Sequence, residues 1–145
     1  MKDIVFVVLP GTLLLDLAGP AEAFRLANQR LLQRDHPAAY RLRFVAASAQ
    51  MNTSVGALLA GLEPLPDTLP GGATVVLLGQ PSGAESPLLR PLPRAWSDTR
   101  RWLARVVAPR LLGAGPEPEL ALACICAGTL LAADAGLLGT RRCTT

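Results

Sequence analysis

The sequence predicts an α/β protein, a three-layer sandwich in which a mostly parallel β-sheet lies between two layers of helices. Strand-like and helix-like patterns alternate four times along the 145 residues, as in consecutive βαβ units. Two of the strand-like runs, Ile4–Leu9 and Thr74–Leu78, are apolar throughout, which is typical of strands that a parallel sheet buries on both faces. Half of the residues are hydrophobic, so the chain has the material for one core, and we expect a single domain over residues 1–145.

A predicted loop separates the first strand from the first helix. The run Ile4–Leu9 closes at Pro10-Gly11 and is followed by a loop over Thr12–Gly19. Pro20 suits the first turn of a helix, where its missing N–H costs nothing, and His36-Pro37 ends the helical pattern. The side chains predicted to face inward recur at helical spacing: Ala23, Phe24, Ala27, Leu31 and Leu32.

The remaining elements follow from changes of period along the chain. Strands are predicted where apolar residues alternate or run together, and helices where they recur every three or four residues. In order, we predict a strand over Tyr40–Ala47, a hairpin over Asn52–Leu62, a strand over Thr74–Leu78, a loop over Gln80–Arg94, a helix over Trp96–Val107 stopped by Pro109, a strand over Glu119–Ile125 and a helix over Gly128–Ala135 capped by Gly136.

Composition argues against several classes of function. The formal charge is only +3 and aromatic residues make up 4% of the chain, which is a weak case for nucleic-acid binding by this segment. No apolar stretch reaches the length of a membrane span, and no signal-peptide cleavage site follows the apolar run near the N-terminus. Three cysteines, Cys124, Cys126 and Cys143, suit a reducing compartment better than a disulfide scaffold. We therefore expect a cytoplasmic protein with no membrane partner.

The segment Glu119–Gly136 carries the strongest chemical signal, because an apolar strand pattern turns into a helix pattern at a cysteine. Such a turn presents its central residue at the carboxyl edge of the sheet, above the first free N–H groups of the helix. There the helix N-terminus would stabilise a Cys126 thiolate. A buried structural cysteine is the alternative, since free cysteine is among the most buried residue types. The local sequence leaves both interpretations open.

Asp16 is the acidic residue that we expect near Cys126. It lies among leucines in LLLDLAGP, after the first strand, and apolar neighbours favour the protonated form of a carboxyl group. Beside Cys126, a protonated Asp16 would donate a hydrogen bond to the thiolate or exchange protons with a substrate. The equally weighted alternative is that Asp16 caps a helix beginning near Gly19-Pro20, or accepts hydrogen bonds from N–H groups of the loop.

The other candidates carry weaker signals. Gly79–Gly83, GQPSG, offers backbone N–H groups to an oxyanion or a carboxylate, but it matches neither glycine pattern of a nucleotide-binding loop. His36 is the only histidine and is expected far from the carboxyl edge, so the Cys–His pair of a hydrolase is not predicted. We interpret Trp96 and Trp102 as packing residues. We expect neither a metal ion nor a cofactor.

Two segments resemble a known family. Val8–Phe24 (VLPGTLLLDLAGPAEAF) and Cys124–Thr145 (CICAGTLLAADAGLLGTRRCTT) are similar to the ThiJ/PfpI superfamily of class I glutamine amidotransferase-like proteins, and most of all to the N-terminal domain of GlxA-type regulators of the AraC family. The resemblance implies a flavodoxin-like sandwich with a nucleophile elbow at Cys126 and the family's acidic partner at Asp16. The positions that it implies for ligand contacts are Gly79, Ala127 and Gly128.

The resemblance implies two functions. In the regulator branch, this domain senses a small molecule, a helix-turn-helix domain further along the chain binds DNA, and members are often homodimers. In the isonitrile-hydratase branch, a similar Asp and Cys pair is catalytic, so the alternative is an enzyme with Cys126 as nucleophile and Asp16 as acid and base. We favour the regulator because of the likeness of LLLDLAGPAEAF and AGLLGTRRCTT to that branch, together with the histidine that usually follows the family's Thr-Thr pair and is not part of this sequence.

We also expect the sequence to lack the C-terminal part of its domain, about 40–50 residues, together with the DNA-binding domain. An apolar face or edge of the sheet would then be uncovered, which predicts poor solubility or an oligomer. A degenerate fragment without a function is a third interpretation. The turn GQPSG at Gly79–Gly83 departs from the Pro-Gly-Gly-like turn that the family often has there.

Overall fold

The protein is described here by a computed structural model that covers residues 1–81, 94–113 and 119–144. Its strands and helices follow the predicted chain order, but no helix lies between Tyr40 and Leu77, so the alternation expected of consecutive βαβ units is interrupted there. Most strands are one to three residues shorter than the sequence indicates. In chain order the elements are β1 (Lys2–Val7), α1 (Leu14–Leu32), β2 (Tyr40–Ala46), β3 (Gln50–Asn52), β4 (Leu58–Ala60), β5 (Glu63–Pro64), β6 (Thr74–Leu77), α2 (Arg94–Trp102), a π-helical segment (Leu103–Val107), α3 (Ala108–Leu111), β7 (Ala121–Cys124) and α4 (Gly128–Asp134).

A five-stranded parallel sheet forms the centre of the molecule, in the order β5-β2-β1-β6-β7. The short strands β3 and β4 form a separate antiparallel hairpin, which confirms the predicted hairpin over Asn52–Leu62. From β1 the chain first builds the sheet toward β2 and β5, and then returns to place β6 and β7 on the other side of β1. The strand order therefore reverses between β1 and β6, which is where open α/β sheets bind their ligands.

Helices cover both faces of this sheet. Ile4 and Phe6 of β1 belong to a core cluster that also contains Leu17 of α1 and residues of the β3–β4 hairpin. Val5 and Val7 belong to a second cluster on the opposite face, built with α2, the π-helical segment, α3 and α4. Successive side chains of β1 enter opposite clusters because a strand alternates its side chains between faces. The predicted sandwich with a mostly parallel sheet is confirmed.

The first helix begins at Leu14, inside the predicted loop, and Pro20 lies within the helix rather than in its first turn. The earlier start buries Leu17, whose exposed fraction is 6%, against the sheet. Burying a leucine side chain is worth about 1.5–3 kcal/mol. This gain offsets much of the free energy that the helix loses because Pro20 cannot donate a backbone hydrogen bond. Because Leu17 sets the rotation of the helix, Ala23 and Leu32 face solvent and their predicted inward placement is wrong.

The helix predicted over Trp96–Val107 does not stop at Pro109. It widens into the π-helical segment, where the Ala108 N–H donates to the Leu103 carbonyl, and Pro109 then lies in the first turn of α3. A proline ring clashes with the carbonyl of the residue four positions back, and a wider turn moves that carbonyl away. The chain thus accommodates Pro109 without ending the helical path.

The two tryptophans are packing residues, as predicted. Trp96 and Trp102 are both buried, at 2% and 3% exposure. The indole N–H of Trp96 donates to Asp134 Oδ2 at 3.3 Å, and that of Trp102 donates to the Pro66 carbonyl at 2.6 Å.

The predicted loop over Gln80–Arg94 falls mostly on residues 82–93, outside the described residues.

Candidate functional site

Three chain segments meet at the carboxyl edge of the sheet, next to the point where the strand order reverses. They follow β1, β6 and β7, and backbone hydrogen bonds tie them together. The Leu13 N–H donates to the Gly79 carbonyl at 3.0 Å, which joins the first segment to the second. The Ile125 N–H donates to the Leu77 carbonyl at 2.9 Å, which joins the third segment to β6. The edge is therefore a connected scaffold for the side chains that it presents.

Asp16 and Cys126 approach the same point above Gly79. A Cβ atom added to Gly79 would overlap with Asp16 Oδ2 and would lie 3.1 Å from Cys126 Cβ. The carboxyl group and the elbow cysteine are thus neighbours, as the sequence predicts, and they share the space that a side chain at position 79 would fill. Gly79 itself is buried, and its lack of a side chain keeps this space open.

The Asp16 carboxyl lies in the first turn of α1 and is half-buried. Its Oδ2 atom is buried and has no hydrogen-bond partner within the described part of the chain. The predicted alternative, a cap on a helix near Gly19-Pro20, is wrong because the helix has already begun two residues before Asp16. A buried acceptor without a donor costs about 1–3 kcal/mol, so this oxygen is a group that a bound ligand or the thiol of Cys126 would satisfy.

Cys126 lies in the turn between β7 and α4, with a positive φ of 49°. The Gly128 N–H donates to the Ile125 carbonyl at 2.8 Å, and the Thr129 N–H donates to the Cys126 carbonyl at 3.2 Å, which closes the turn. The Cys126 side chain is exposed, unlike that of a buried structural cysteine. This strained strand-to-helix turn has the geometry of a nucleophile elbow.

Gly128 opens α4, and its lack of a side chain sets how closely the helix packs on the sheet. A Cβ atom there would overlap with the Leu77 carbonyl oxygen and lie 2.8 Å from the carbonyl carbon. Ala127, the residue before the helix, is half-buried, and its carbonyl accepts a hydrogen bond from the Leu130 N–H at 3.0 Å. The close approach permitted by Gly128 holds the elbow against the end of β6, beside Gly79.

Thr12 and Gln80 belong to the same scaffold, and the sequence analysis missed both. Both side chains are buried, and Thr12 Oγ1 accepts hydrogen bonds of 3.0 Å from Gln80 Nε2 and from the Leu9 N–H. The bond between the side chains joins the segment after β1 to the segment after β6. The available signal was the position of each residue shortly after an apolar run: Gln80 follows TVVLL and Gly79, and Thr12 follows Ile4–Leu9 and Pro10-Gly11.

His36 lies away from this site. It follows α1 and precedes β2, whose first residue, Tyr40, is in register with Lys2 at the amino end of β1. Cys126 is at the carboxyl end of the sheet, so the Cys126–His36 pair of a hydrolase is not assembled. Within residues 1–81, 94–113 and 119–144, the side chains form no cluster of three metal-ligand types. The helices in those ranges are also too short or too polar to cross a membrane.

Two solved structures share this architecture. The crystal structure of a ThiJ/PfpI family protein from Pseudomonas syringae has a TM-score of 0.56 and 20% identity, over 94% of this chain and 47% of that one. An AraC family transcriptional regulator from Pseudomonas putida has a TM-score of 0.60 and 15% identity, over 97% of this chain and 64% of that one. The chain has the ThiJ/PfpI fold. The predicted resemblance is therefore confirmed for the fold, and the chain spans about half to two thirds of the length of these two proteins.

No protein-family model matches the sequence, and no curated protein matches it significantly. In this fold, the exposed thiol of Cys126 and the partly buried carboxyl group of Asp16 lie next to Gly79. A thiol so placed can add to an electrophilic carbon, and a carboxyl group beside it can supply or accept the proton. The arrangement lacks the imidazole that normally carries protons during amide cleavage.

Proposed function

We propose that this chain is the small-molecule-sensing domain of a GlxA-type regulator of the AraC family, acting in the cytoplasm. The observation that carries the proposal is the approach of Asp16 and Cys126 to one point above Gly79, at the switch point of a ThiJ/PfpI fold. The fold shared with an AraC family regulator over 97% of this chain supports the regulator. DNA binding would belong to a helix-turn-helix domain outside this sequence.

Binding is favoured over turnover by the proton-transfer groups at the site. A thiol and one carboxyl group are sufficient to form a reversible adduct or to hold a ligand by hydrogen bonds. In the described part of the chain, His36 does not join this pair, because it lies at the other end of the sheet. The positions proposed for ligand contacts are Cys126 and Asp16, with Gly79, Ala127 and Gly128 around them.

The regulator is tested by reading the gene beyond the codon for Thr145. We expect that coding sequence to specify a helix-turn-helix domain. The absence of such a sequence in every frame would overturn the assignment to a regulator, whatever the site itself binds.

The binding site is tested with defined electrophiles on the purified protein. We expect benzaldehyde to form a saturable, reversible adduct at Cys126 without a released product, because the thiol is exposed and Asp16 can supply the proton. The adduct should disappear in Cys126→Ser, weaken in Asp16→Asn and persist in the matched control Cys143→Ser, as followed at equilibrium by NMR of benzaldehyde labelled with carbon-13 at the carbonyl. Equal adduct formation in Cys126→Ser would exclude Cys126 from the site.

An enzyme of the isonitrile-hydratase type is the second candidate, favoured by the strained φ of 49° at Cys126. In that reaction the thiol adds to the isonitrile carbon, and water then releases a formamide and regenerates the thiol. Multiple turnovers of cyclohexyl isocyanide to N-cyclohexylformamide, detected by NMR, would establish the enzyme. Turnover that survived Cys126→Ser would remove Cys126 as the nucleophile.

We also propose that the protein forms a homodimer. The large apolar side chains of Leu15, Val55 and Leu58 are 80%, 70% and 57% exposed. Such side chains mark a contact site between proteins where they form one contiguous patch, and this is the surface that we propose for the dimer. Analytical ultracentrifugation should give a dimer whose dissociation constant rises in Leu15→Glu; a monomer at all concentrations would contradict the proposal.

A further inference from the structure

A cleft lies along β7, the last strand of the sheet in the described part of the chain, apart from the Asp16–Cys126 site. It has a volume of about 620 Å³ and is lined by strand residues, by Thr129 of α4 and by the segment Arg141–Thr144. Neither Asp16, Gly79 nor Cys126 lines it. Two of the three cysteines, Cys124 and Cys143, do.

The two cysteines approach the cleft from different parts of the chain. Cys124 ends β7, in register with Leu77 of β6, and packs as a half-buried residue against the core cluster of the helix-rich face. Cys143 is exposed on the segment that follows α4. Thr129 Oγ1 donates to the Thr144 carbonyl at 3.4 Å, which keeps that segment beside α4 and the end of β7.

The environment of the two thiols differs, which sets the order in which they react. Burial raises the pKa of the Cys124 thiol above its ordinary value of 9.0, and the nearby Cys143 raises it further. Both cysteines line the same cleft, where a negative charge on Cys143 opposes ionisation of Cys124. At neutral pH, Cys124 is therefore the slower of the pair as a free nucleophile.

The charged groups around the cleft favour an anionic reagent. Lys2, Arg141 and Arg142 line it, against the single carboxylate of Glu119. Glutathione disulfide carries carboxylates and a disulfide bond, so these cations would draw it toward the exposed Cys143. Thiol groups of proteins in reducing compartments form such disulfides as transient, redox-sensing modifications.

We propose that Cys124 and Cys143 form a redox-modification site, which glutathione disulfide converts into an intramolecular disulfide that ties the segment Arg141–Thr144 to β7. The Cys143 thiolate attacks one sulfur of glutathione disulfide and releases one glutathione thiolate, which leaves a mixed disulfide. The Cys124 thiolate then attacks the Cys143 sulfur and releases the second glutathione. Two protein thiols are oxidised, one glutathione disulfide is reduced to two glutathione molecules, and the two thiol protons pass to these molecules.

The test exposes the purified full chain to a series of glutathione redox buffers, followed by acid quench, denaturation, trapping of free thiols with N-ethylmaleimide and mass spectrometry of the peptides. We expect the oxidised protein to give a linked Cys124–Cys143 peptide that accounts for two lost trapping equivalents, with Cys126 either free or carrying a separate glutathione. The matched control Cys126→Ser should give the same linked peptide. A protein disulfide between Cys126 and another cysteine, or glutathione adducts without any protein disulfide, would overturn the proposal.

Single variants test the order of the two steps. Cys124→Ser should accumulate a protein with one glutathione at Cys143. In Cys143→Ser, the Cys124 peptide should be modified at least ~10-fold more slowly than in the unchanged protein, because the half-buried Cys124 is then the thiol that must react first in the cleft. Reaction of Cys143→Ser at the original rate would contradict the order. The linked peptide of the unchanged protein decides the proposal even where a variant does not fold.

The pH dependence of ring closure gives an independent measurement. A raised pKa means a smaller thiolate fraction at neutral pH, so the rate of the second step should still be rising where an exposed thiol has levelled off, above the ordinary value of 9.0. The charged groups that line the cleft together with Cys124 are Lys2, Glu119, Arg141 and Arg142. A rate that levelled off below pH 8 would show that Cys124 is not the resolving thiol.

Discussion

At the scale of single residues, the backbone of Cys126 carries strain that a glycine would avoid. Its φ of 49° lies in the left-handed region, which costs a residue with a Cβ atom about 1–2 kcal/mol. Asp35 is the other such residue outside glycine in the described part of the chain, at a φ of 57°, and aspartate tolerates this region better. The elbow thus retains a strained cysteine at the one turn that faces Asp16. Strain kept at such a point is typical of functional sites.

Replacing Cys126 should release this strain in a predictable order. We expect Cys126→Gly to be more stable than Cys126→Ala by about 1 kcal/mol, because both variants lose the exposed thiol and only glycine adopts the positive φ freely. Urea denaturation of the two variants measures the difference. The matched control is Ala133→Gly, at an exposed position inside α4, where glycine should lower the stability by about 0.5–1 kcal/mol. A Cys126→Gly protein no more stable than Cys126→Ala would show that the turn is unstrained.

The candidate pair could be predicted from sequence because each member has a local signature. Cys126 lies between a strand pattern and a helix pattern, and Asp16 follows the first apolar run. The contact between Thr12 and Gln80 has no such signature, since it joins residues 68 positions apart and exists only once β1 and β6 are neighbours. The role of Gly79 was predicted as a ligand contact, whereas its closeness to both side chains depends on the packing of three segments.

At the scale of elements, the first helix shows where local signals and tertiary packing disagree. Proline at a helix start is a strong local preference, and it placed the predicted start at Pro20. The burial of Leu17 extends the helix back to Leu14 and brings Asp16 into its first turn. The same helix turns Asn28 inward, where its Oδ1 accepts hydrogen bonds from the Ala39 and Tyr40 N–H groups at 3.0 Å. The start and the rotation of α1 could not be predicted from the sequence, because both depend on how the helix packs against the sheet.

The revised start changes what a substitution at Gly19 should do. Gly19 lies inside α1, is exposed, and has open space around its missing Cβ. We expect Gly19→Ala to stabilise the protein by at most about 0.5 kcal/mol, since the lower entropy cost of alanine in a helix is partly offset by contact of its Cβ with the Pro20 ring. Urea denaturation gives the value.

Gly136 is the matched control for Gly19, because it follows α4 with a φ of +72° and also has open space around it. We expect Gly136→Ala to lower the stability by about 1 kcal/mol, since a Cβ atom disfavours that backbone conformation. If both substitutions acted in the same direction, helix α1 would not extend through Gly19 as the structure shows.

At the scale of the whole molecule, the two ends of the sheet differ: one carries the candidate site, and the other carries ion pairs that stabilise the fold. The carboxyl end carries the candidate site. Near the amino end, Arg41 of β2 donates two hydrogen bonds to Asp3 of β1, from Nε at 2.8 Å and from Nη2 at 2.7 Å. Arg43 approaches Asp3 at 3.5 Å and also pairs with Glu63, so the pairs join β1, β2 and β5. The amino end therefore contributes to stability without contacting the site.

The Arg41 hydrogen bonds are the main reason that the pKa of Asp3 lies below its ordinary value of 3.8, with the charges of Arg41 and Arg43 acting in the same direction and burial opposing them. A carboxyl group whose pKa is lowered by folding stabilises the protein above its unfolded pKa, and this contribution is lost as the pH falls through the folded pKa. The Asp3 side chain is 2% exposed, so its ion pair is better shielded from water than a surface pair.

Asp3→Asn should therefore lower the stability at pH 7 by about 1–3 kcal/mol, the range for losing hydrogen bonds to a buried charge. The difference from the unchanged protein should begin to shrink near pH 4 and continue to fall below the ordinary pKa of 3.8, as Asp3 becomes protonated in both states. Urea denaturation across this pH range measures the two curves, and Asp67→Asn, at a side chain 94% exposed, is the control that should change little. Because Asp3 and Cys126 lie at opposite ends of the sheet, alkylation of Cys126 should proceed at the same rate in Asp3→Asn. A stability gap that stayed constant down to pH 2, or a changed Cys126 rate, would contradict this division between the two ends.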